Sequence, residues 1–166
     1  ILHSYNDKNA ALFPVKWPDK FGDLYYLYHR RHPSVWLSRS RDLNTWEDVC
    51  DKNCMVLEPQ PNGWDDDRIG IGSQPLYTDD GWLVFYHGRN KQGVYSLGAF
   101  LADFRYPETI IARLPYPLIG PKLPFETKGT IPNTIFTCGA VEAGGQYWVY
   151  YGGADHAIGG AYVGKK

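Results

Sequence analysis

No stretch of this sequence stays apolar for the ~18 residues a bilayer-crossing helix needs, and neither sign of charge predominates. Seventeen Lys and Arg stand against 18 Asp and Glu, a net charge of -1. The first absence argues against a membrane, and the second removes the electrostatic case for nucleic acid. Neither is expected as a partner. Cysteine is scarce: Cys50, Cys54 and Cys138 are odd in number and have no His or Cys at zinc-site spacing. They read as free thiols of a cytoplasmic protein rather than a disulfide framework, and no metal is expected. The opening Ile1-Leu2-His3-Ser4 has no basic-then-apolar secretory pattern. A P-loop, a Ser-His-Asp order and a dinucleotide fingerprint are missing too. Gly70-Ile71-Gly72 lacks the third glycine and the helix that would follow it. No amphipathic helix longer than about two turns is expected.

What the chain does have is aromatics, 16% of residues, with six Trp and thirteen Tyr beside 18 Gly and 12 Pro. That composition favours strands and tight turns. A unit recurs three times at about sixty residues, the size of one four-stranded propeller blade. It reads Gly22-Asp23-Leu24-Tyr25-Tyr26-Leu27-Tyr28-His29-Arg30, then Gly81-Trp82-Leu83-Val84-Phe85-Tyr86-His87-Gly88-Arg89, then Gly145-Gln146-Tyr147-Trp148-Val149-Tyr150-Tyr151-Gly152-Gly153. His29, His87 and Gly152 hold one place in the three copies. If these runs are the inner strands of blades, their polar ends converge on a central pocket.

Strands are predicted over residues 24–28, 34–40 and 46–49 of the first copy. The second copy gives 73–77, 82–87 and 96–102, and the third 133–138, 146–151 and 160–163. Val35 and Leu37 alternate with Trp36 and Ser38, as in a half-buried strand. Thr78-Asp79-Asp80-Gly81 is a hairpin turn, residues 58–63 form a loop, and the proline-rich residues 115–124 connect blades. Ala10-Ala11-Leu12-Phe13-Pro14 is an apolar strand preceded by Lys8-Asn9.

Several polar residues stand out. Asp65, Asp66 and Asp67 alternate faces if extended and so cannot share one ion; a solvated acidic turn is expected. Arg68, between them and two close glycines, suits a bidentate grip on a carboxylate or phosphate, against a salt bridge to its own Asp neighbours. His87 ends its strand beside Gly88, either contacting a ligand or hydrogen-bonded in the core. Asp155 follows Tyr150-Tyr151-Gly152-Gly153-Ala154 at the equivalent end of the third copy, where its alternative is a turn cap. Cations drawn from three blades would make one anion pocket.

These residues resemble glycoside hydrolase family 130. The resemblance rests on Lys8-Asn9-Ala10-Ala11-Leu12-Phe13-Pro14, Trp64-Asp65-x-x-Arg68-Ile69-Gly70-x-Gly72 and Thr78-x-x-Gly81-Trp82-Leu83-x-x-Tyr86-His87-Gly88. Tyr95-x-Leu97-Gly98-Ala99, Ile131-Pro132-Asn133 and Tyr150-Tyr151-Gly152-Gly153-Ala154-Asp155 continue it in order. It implies five-bladed propellers, most of them β-mannoside phosphorylases that invert the anomeric centre and some of them mannosidases that use water. It also implies phosphate binding by Lys8, Asn9, Arg68 and His87, with Arg30, Tyr95 and Asp155 around the sugar. Arg68 stands where many phosphorylases carry Lys, and the family's catalytic Asp lies N-terminal to Ile1. No residue here matches that acid; Asp155 is the one weak catalytic candidate.

The expected fold is therefore a single all-β domain over 1–166, a partial five-bladed propeller of two and a half to three four-stranded blades. The expected function is that of a glycoside phosphorylase or hydrolase on β-mannosides, with an oligosaccharide substrate, inorganic phosphate as co-substrate and no cofactor. A homodimer is expected, because two to three blades leave open faces and edges. Two alternatives stay open. One is a non-catalytic carbohydrate-binding half-propeller; the other is an arabinan- or fructan-type glycosidase, to which Ser40-x-Asp42-Leu43-x-x-Trp46 also belongs.

Overall fold

The computed structural model describes residues 7–19, 22–49 and 55–164. Three antiparallel sheets follow one another along the chain. The first holds β1 (Asp7–Leu12), β2 (Trp17–Asp19), β3 (Gly22–Arg31), β4 (Ser34–Ser40), β5 (Glu47–Asp48) and β6 (Met55–Leu57). β1 and β2 both lie along β3, and β5 and β6 both lie along β4, so the sheet is four strands wide. The second holds β7 (Arg68–Ile71), β8 (Leu76–Tyr77), β9 (Trp82–Arg89), β10 (Tyr95–Ala102) and β11 (Ile110–Arg113), again four wide because β7 and β8 share β9. A single helical turn, α1 (Pro124–Thr127), leads to the third, three-stranded sheet of β12 (Ile135–Ala143), β13 (Gln146–Gly153) and β14 (Ala157–Gly164). Two full blades and three strands of another match the expected partial propeller.

The repeated aromatic runs are β3, β9 and β13, and the structure corrects their place. Each lies second in its sheet, with β1, β7 or β12 at the edge beside it. Lys8 and Asn9 therefore belong to the edge strand β1 itself rather than preceding it. These edge strands are short or carry polar residues and glycine, so hydrophobic periodicity reports them weakly.

Two cores form between successive sheets. Phe13, Tyr26, Tyr28, Leu37, Ile69, Trp82, Val84, Tyr86 and Phe100 pack between the first and second. Phe85, Leu97, Ile135, Val149 and Tyr151 pack between the second and third. The middle sheet is covered on both faces, which is why β9 reads as an unbroken apolar run, Trp82-Leu83-Val84-Phe85-Tyr86, instead of alternating. β4 departs from simple alternation as well: Ser38 is fully buried beside Val35 and Leu37 because His29 and Asp48 bond it.

The acidic run is not the solvated turn its composition predicts. Asp65 is fully buried, accepting from the Tyr86 hydroxyl at 3.0 Å and from Arg113, whose guanidinium also reaches the Glu58 carbonyl at 2.7 Å. Asp66, paired with Lys91, and Asp67, held by Arg68 and Arg89, are partly buried. Among the described residues Glu126 is the other buried carboxylate. Burial pushes its pKa up, but the Lys122 and Leu123 N–H groups and the Tyr151 hydroxyl outweigh that and hold it below the usual range. It ties α1 to β13.

Candidate functional site

The site grows from an irregularity in β1. Lys8 pairs with Arg30 on β3, but the register slips before Ala11 meets Tyr28. In that bulge Asn9 takes a left-handed backbone, φ 59°, which Asn tolerates better than most residues. The bulge turns the Asn9 side chain toward the second sheet. There Gly70 of β7 leaves room: a Cβ built on it would lie 2.6 Å from His87 Nε2 and 3.3 Å from Asn9 Cγ. Gly70 and His87 are cross-strand partners, so the missing side chain is what lets Asn9 and the imidazole share one place.

His87 is clamped by groups from three sheets. Phe136 of β12 stacks on its ring with centroids 3.6 Å apart, and Tyr95 of β10 meets it edge-on at 6.2 Å. Burial, and then the charges of Arg30 and Lys8, push its pKa down to about 3. It is a neutral imidazole, and its Nδ1 has no hydrogen-bond partner. Asn9 Oδ1 and Arg30 Nε are likewise buried without partners. Arg30 is lowered by burial; Tyr95 opposes that shift, Arg68 adds to it and Asp7 opposes it. These mutual influences bring Lys8, Asn9, Arg30, Arg68, His87 and Tyr95 into one neighbourhood.

Arg68 opens β7 opposite Arg89. Asp67 accepts from Arg68 Nε at 2.9 Å and from Arg89 at 2.6 Å. Both readings of Arg68 thus have a footing. Its Nε is spent on its own Asp neighbour, while the side chain keeps about a third of its surface exposed beside the buried Arg30. Burial pushes the Asp67 carboxyl up, but the two guanidinium groups win and hold it below the carboxylate range.

Asp155 is not brought into this cluster by any described contact. It sits exposed at φ 56° in the turn between β13 and β14, next to Ala154, also left-handed at φ 46°. The turn is nonetheless on the same side of the molecule as the cluster: Ala154 N–H donates to Thr134, and Thr134 bridges to Tyr95. Of the cysteines, Cys138 is an exposed free thiol, and Cys50 and Cys54 lie outside the described residues.

Asp7 went unnoticed in the sequence, and the structure also supplies the arrangement that chain order failed to suggest. His29 Nδ1 lies 2.7 Å from Asp7 Oδ2, and its Nε2 lies 3.0 Å from Ser38 Oγ. This is the linear order of a hydrolytic triad. It is not one, because Ser38 is fully buried and its hydroxyl also contacts Asp48 at 3.2 Å. Asp48 is gripped in turn by Arg31 at 3.2 Å. At one end Asp7 lies within range of Arg30's charge, and at the other Asp48 keeps about a third of its side chain exposed.

Chemically, the cluster offers cations, an unfilled donor at Arg30 Nε and an unfilled acceptor at Asn9 Oδ1 around a neutral imidazole, with aromatic rings alongside. It can hold a small oxyanion by charge-assisted hydrogen bonds and a sugar face on its rings.

A family model described as beta-1,4-mannooligosaccharide phosphorylase, of glycoside hydrolase family 130, matches residues 2–165. The chain is 41% identical over 160 residues to the 1,2-beta-oligomannan phosphorylase of Thermoanaerobacter sp. (strain X514), a match covering 96% of this chain and 51% of that protein. It is 31% identical over 169 residues to the beta-1,4-mannooligosaccharide phosphorylase of Ruminococcus albus, covering 95% of this chain and 48% of that one. Among solved structures, a beta-1,2-mannobiose phosphorylase from Listeria innocua in complex with beta-1,2-mannobiose superposes with a TM-score of 0.87 at 28% identity, over 98% of this chain and 46% of that one. The chain spans about half the length of the relatives it matches.

Proposed function

Because the chain belongs to glycoside hydrolase family 130, we propose that it carries the phosphate-binding half of a glycoside phosphorylase acting on β-mannosides. The observation that supports this most is the group of buried, unpartnered polar atoms, Asn9 Oδ1, His87 Nδ1 and Arg30 Nε, set among cations. Buried polar groups are almost always satisfied in folded proteins, so such a group beside Lys8 and Arg68 is shaped for something that fills it. In this reading Lys8, Asn9, Arg68 and His87 hold phosphate, and Arg30, Tyr95 and Asp155 border the mannosyl unit.

The reaction then runs as a single displacement. A phosphate oxygen attacks the anomeric carbon from the face opposite the leaving oxygen, the C1–O bond breaks, and a proton passes to the departing oxygen. The products are α-mannose 1-phosphate and a shortened acceptor. The cations hold the nucleophile in line and offset its charge, while an acid supplies the proton. Neutral His87 suits this arrangement, since it orients phosphate without adding a charge that must be desolvated. The acid is assigned to chain outside these 166 residues, since no carboxylate here matches the family's. A pair of associated copies is part of the same proposal.

Calorimetry with inorganic phosphate and with β-1,2- and β-1,4-mannobiose tests the binding, and ³¹P NMR for mannose 1-phosphate tests the turnover. Phosphate and a mannoside are expected to bind. Turnover by this chain alone is expected to fall ~10²–10⁴-fold below that of a relative, the usual effect of losing a general acid. Failure to bind either ligand overturns the reading. Efficient turnover would move the acid into this chain, with Asp155 the first residue to replace.

A further inference from the structure

The outer edges of the three sheets are built differently. In the first sheet the outer position includes Glu47-Asp48 of β5, and in the second β11 carries Arg113 and a register slip. Charges and bulges of this kind keep an unpaired edge from recruiting another strand. β14 has neither. It reads Ala157-Ile158-Gly159-Gly160-Ala161-Tyr162-Val163-Gly164 and pairs with β13 along its whole length without a slip. Among the described residues nothing pairs with its other edge, so this sheet is three strands wide where the others are four. The seam beside that edge differs too. Between the first and second sheets, Ile110 of the outer strand β11 packs against the core. Between the second and third no described strand takes the equivalent place, and a cavity of about 660 Å³ lies there. Leu83, Leu101, Leu114 and Leu118 line one side of it, and Tyr147 and Val163 of the third sheet line the other.

Asp79 and Asp80, in the turn before β9, also line this cavity. Asp80 bonds through its backbone N–H, to Thr78 Oγ1 at 3.3 Å, but neither carboxylate has a hydrogen bond or ion pair among the described residues. Arg113 is the one cation in the described lining, and its guanidinium is committed to Asp65 and the Glu58 carbonyl. Neighbours across a strand pair point to the same face of a sheet. A strand laid along β14 therefore sends the residue beside Val163 into the cavity. We propose that β14 and this cavity dock an extended polypeptide segment, which adds to the third sheet as its fourth strand. Its alternate side chains are apolar and fill the cavity, and a Lys or Arg among them meets Asp79 and Asp80. Backbone hydrogen bonds to β14 supply the affinity, while the apolar alternation and the charge select the sequence. β9 runs from the turn at 78–81 to His87, so the docking site and the anion site lie at opposite ends of that strand.

The probe is a fluorescein-labelled peptide alternating valine and lysine over about ten residues, with binding read by anisotropy. Two further peptides are compared with it. One carries glutamate in place of lysine; the other keeps the side chains but is methylated at every backbone nitrogen, so it donates no backbone hydrogen bond. The valine–lysine peptide should bind, and each of the others on the order of tenfold or more weaker. Combining Asp79→Asn with Asp80→Asn should bring the lysine and glutamate peptides to within about threefold of each other. No binding of the valine–lysine peptide overturns the inference. Equal binding of the methylated peptide overturns it too, since the cavity would then take a ligand without the strand edge. An unchanged preference for lysine in the double variant removes the role of the two carboxylates and the partner's charge with it. If that variant fails to fold, the three peptides on the unaltered protein still decide. Peptide binding that disappears as protein concentration rises assigns the edge to a second copy, which again overturns the inference. All of these outcomes leave the phosphate site untouched.

Discussion

His87 is a histidine whose surroundings have removed its usual titration. Burial, reinforced by Arg30 and Lys8, lowers its pKa to about 3, against an ordinary value of about 6.5. The sign follows from proton counting. Above about 6.5 neither the folded nor the unfolded chain protonates this residue. Between that value and about 3 the unfolded chain takes up a proton that the folded one refuses, so stability falls as pH falls, by roughly 1.4 kcal/mol per pH unit at most. His87→Gln should therefore flatten the loss of thermal stability between pH 6 and pH 4; parallel melting curves for the two proteins would refute the assignment. Arg68 makes a second residue-scale prediction. Arg68→Ala should weaken phosphate binding on the order of tenfold or more by calorimetry, and unchanged affinity would confine Arg68 to its ion pair with Asp67. Lys8, Asn9, Arg68 and His87 were legible in the sequence because motifs and a repeat single them out. Asp7 was not, since its place depends on a strand register and a bulge, neither of which leaves a local mark. The buried state of Asp65 was hidden for a similar reason: its partner Arg113 is 48 residues away.

Among the elements, β7 carries the most information per residue. Its Gly70 accommodates side-chain atoms of His87 and Asn9, whereas Gly72 just beyond it faces the Thr137 backbone carbonyl of β12, onto which a Cβ would fall. Side chains can shift and backbone in a ladder cannot, so the two glycines should respond differently to the same substitution. Gly72→Ala is expected to destabilise by ~2 kcal/mol or more as the second and third sheets are forced apart. Gly70→Ala should cost less stability but should displace the His87 and Asn9 pair and weaken phosphate binding. Denaturant melts paired with calorimetry check this; the reverse ranking would mean that β7 does not set the pocket. The long aromatic strands β3, β9 and β13 were evident from sequence, as were the turn at residues 78–81 and the shortage of helix. β7 and β11 were missed because four-residue strands containing Gly or Arg show too few positions for periodicity. β1 and β12 are longer but carry polar residues and glycine, so in those sheets too the aromatic run was placed at the edge that another strand occupies.

At the scale of the whole molecule, the third sheet has one covered face and one bare one. Val141, Trp148, Tyr150, Ile158 and Tyr162 share the bare face by register, and Ile158 is 82% exposed. A patch of this kind marks an association surface, and the proposed dimer would cover it. Light scattering at micromolar concentration should give twice the chain mass, and Tyr162→Lys should restore the monomer. A monomeric mass for the unaltered protein ends that proposal. The blade was readable at this scale from the length and strand character of the repeat, and the five-bladed class from the family resemblance, whereas the exposed face required knowing which side of β13 packs on the second sheet. The clamp around His87 draws on all three sheets. Its walls come from β1, β7 and β12, one strand from each sheet, so no single blade owns the pocket. A ligand seated there works as a keystone: opening either seam between sheets releases it, so its binding free energy is added to the resistance of both seams. Bound phosphate should therefore slow amide exchange in all three sheets together, turning a row of separately stacked blades into one cooperative unit.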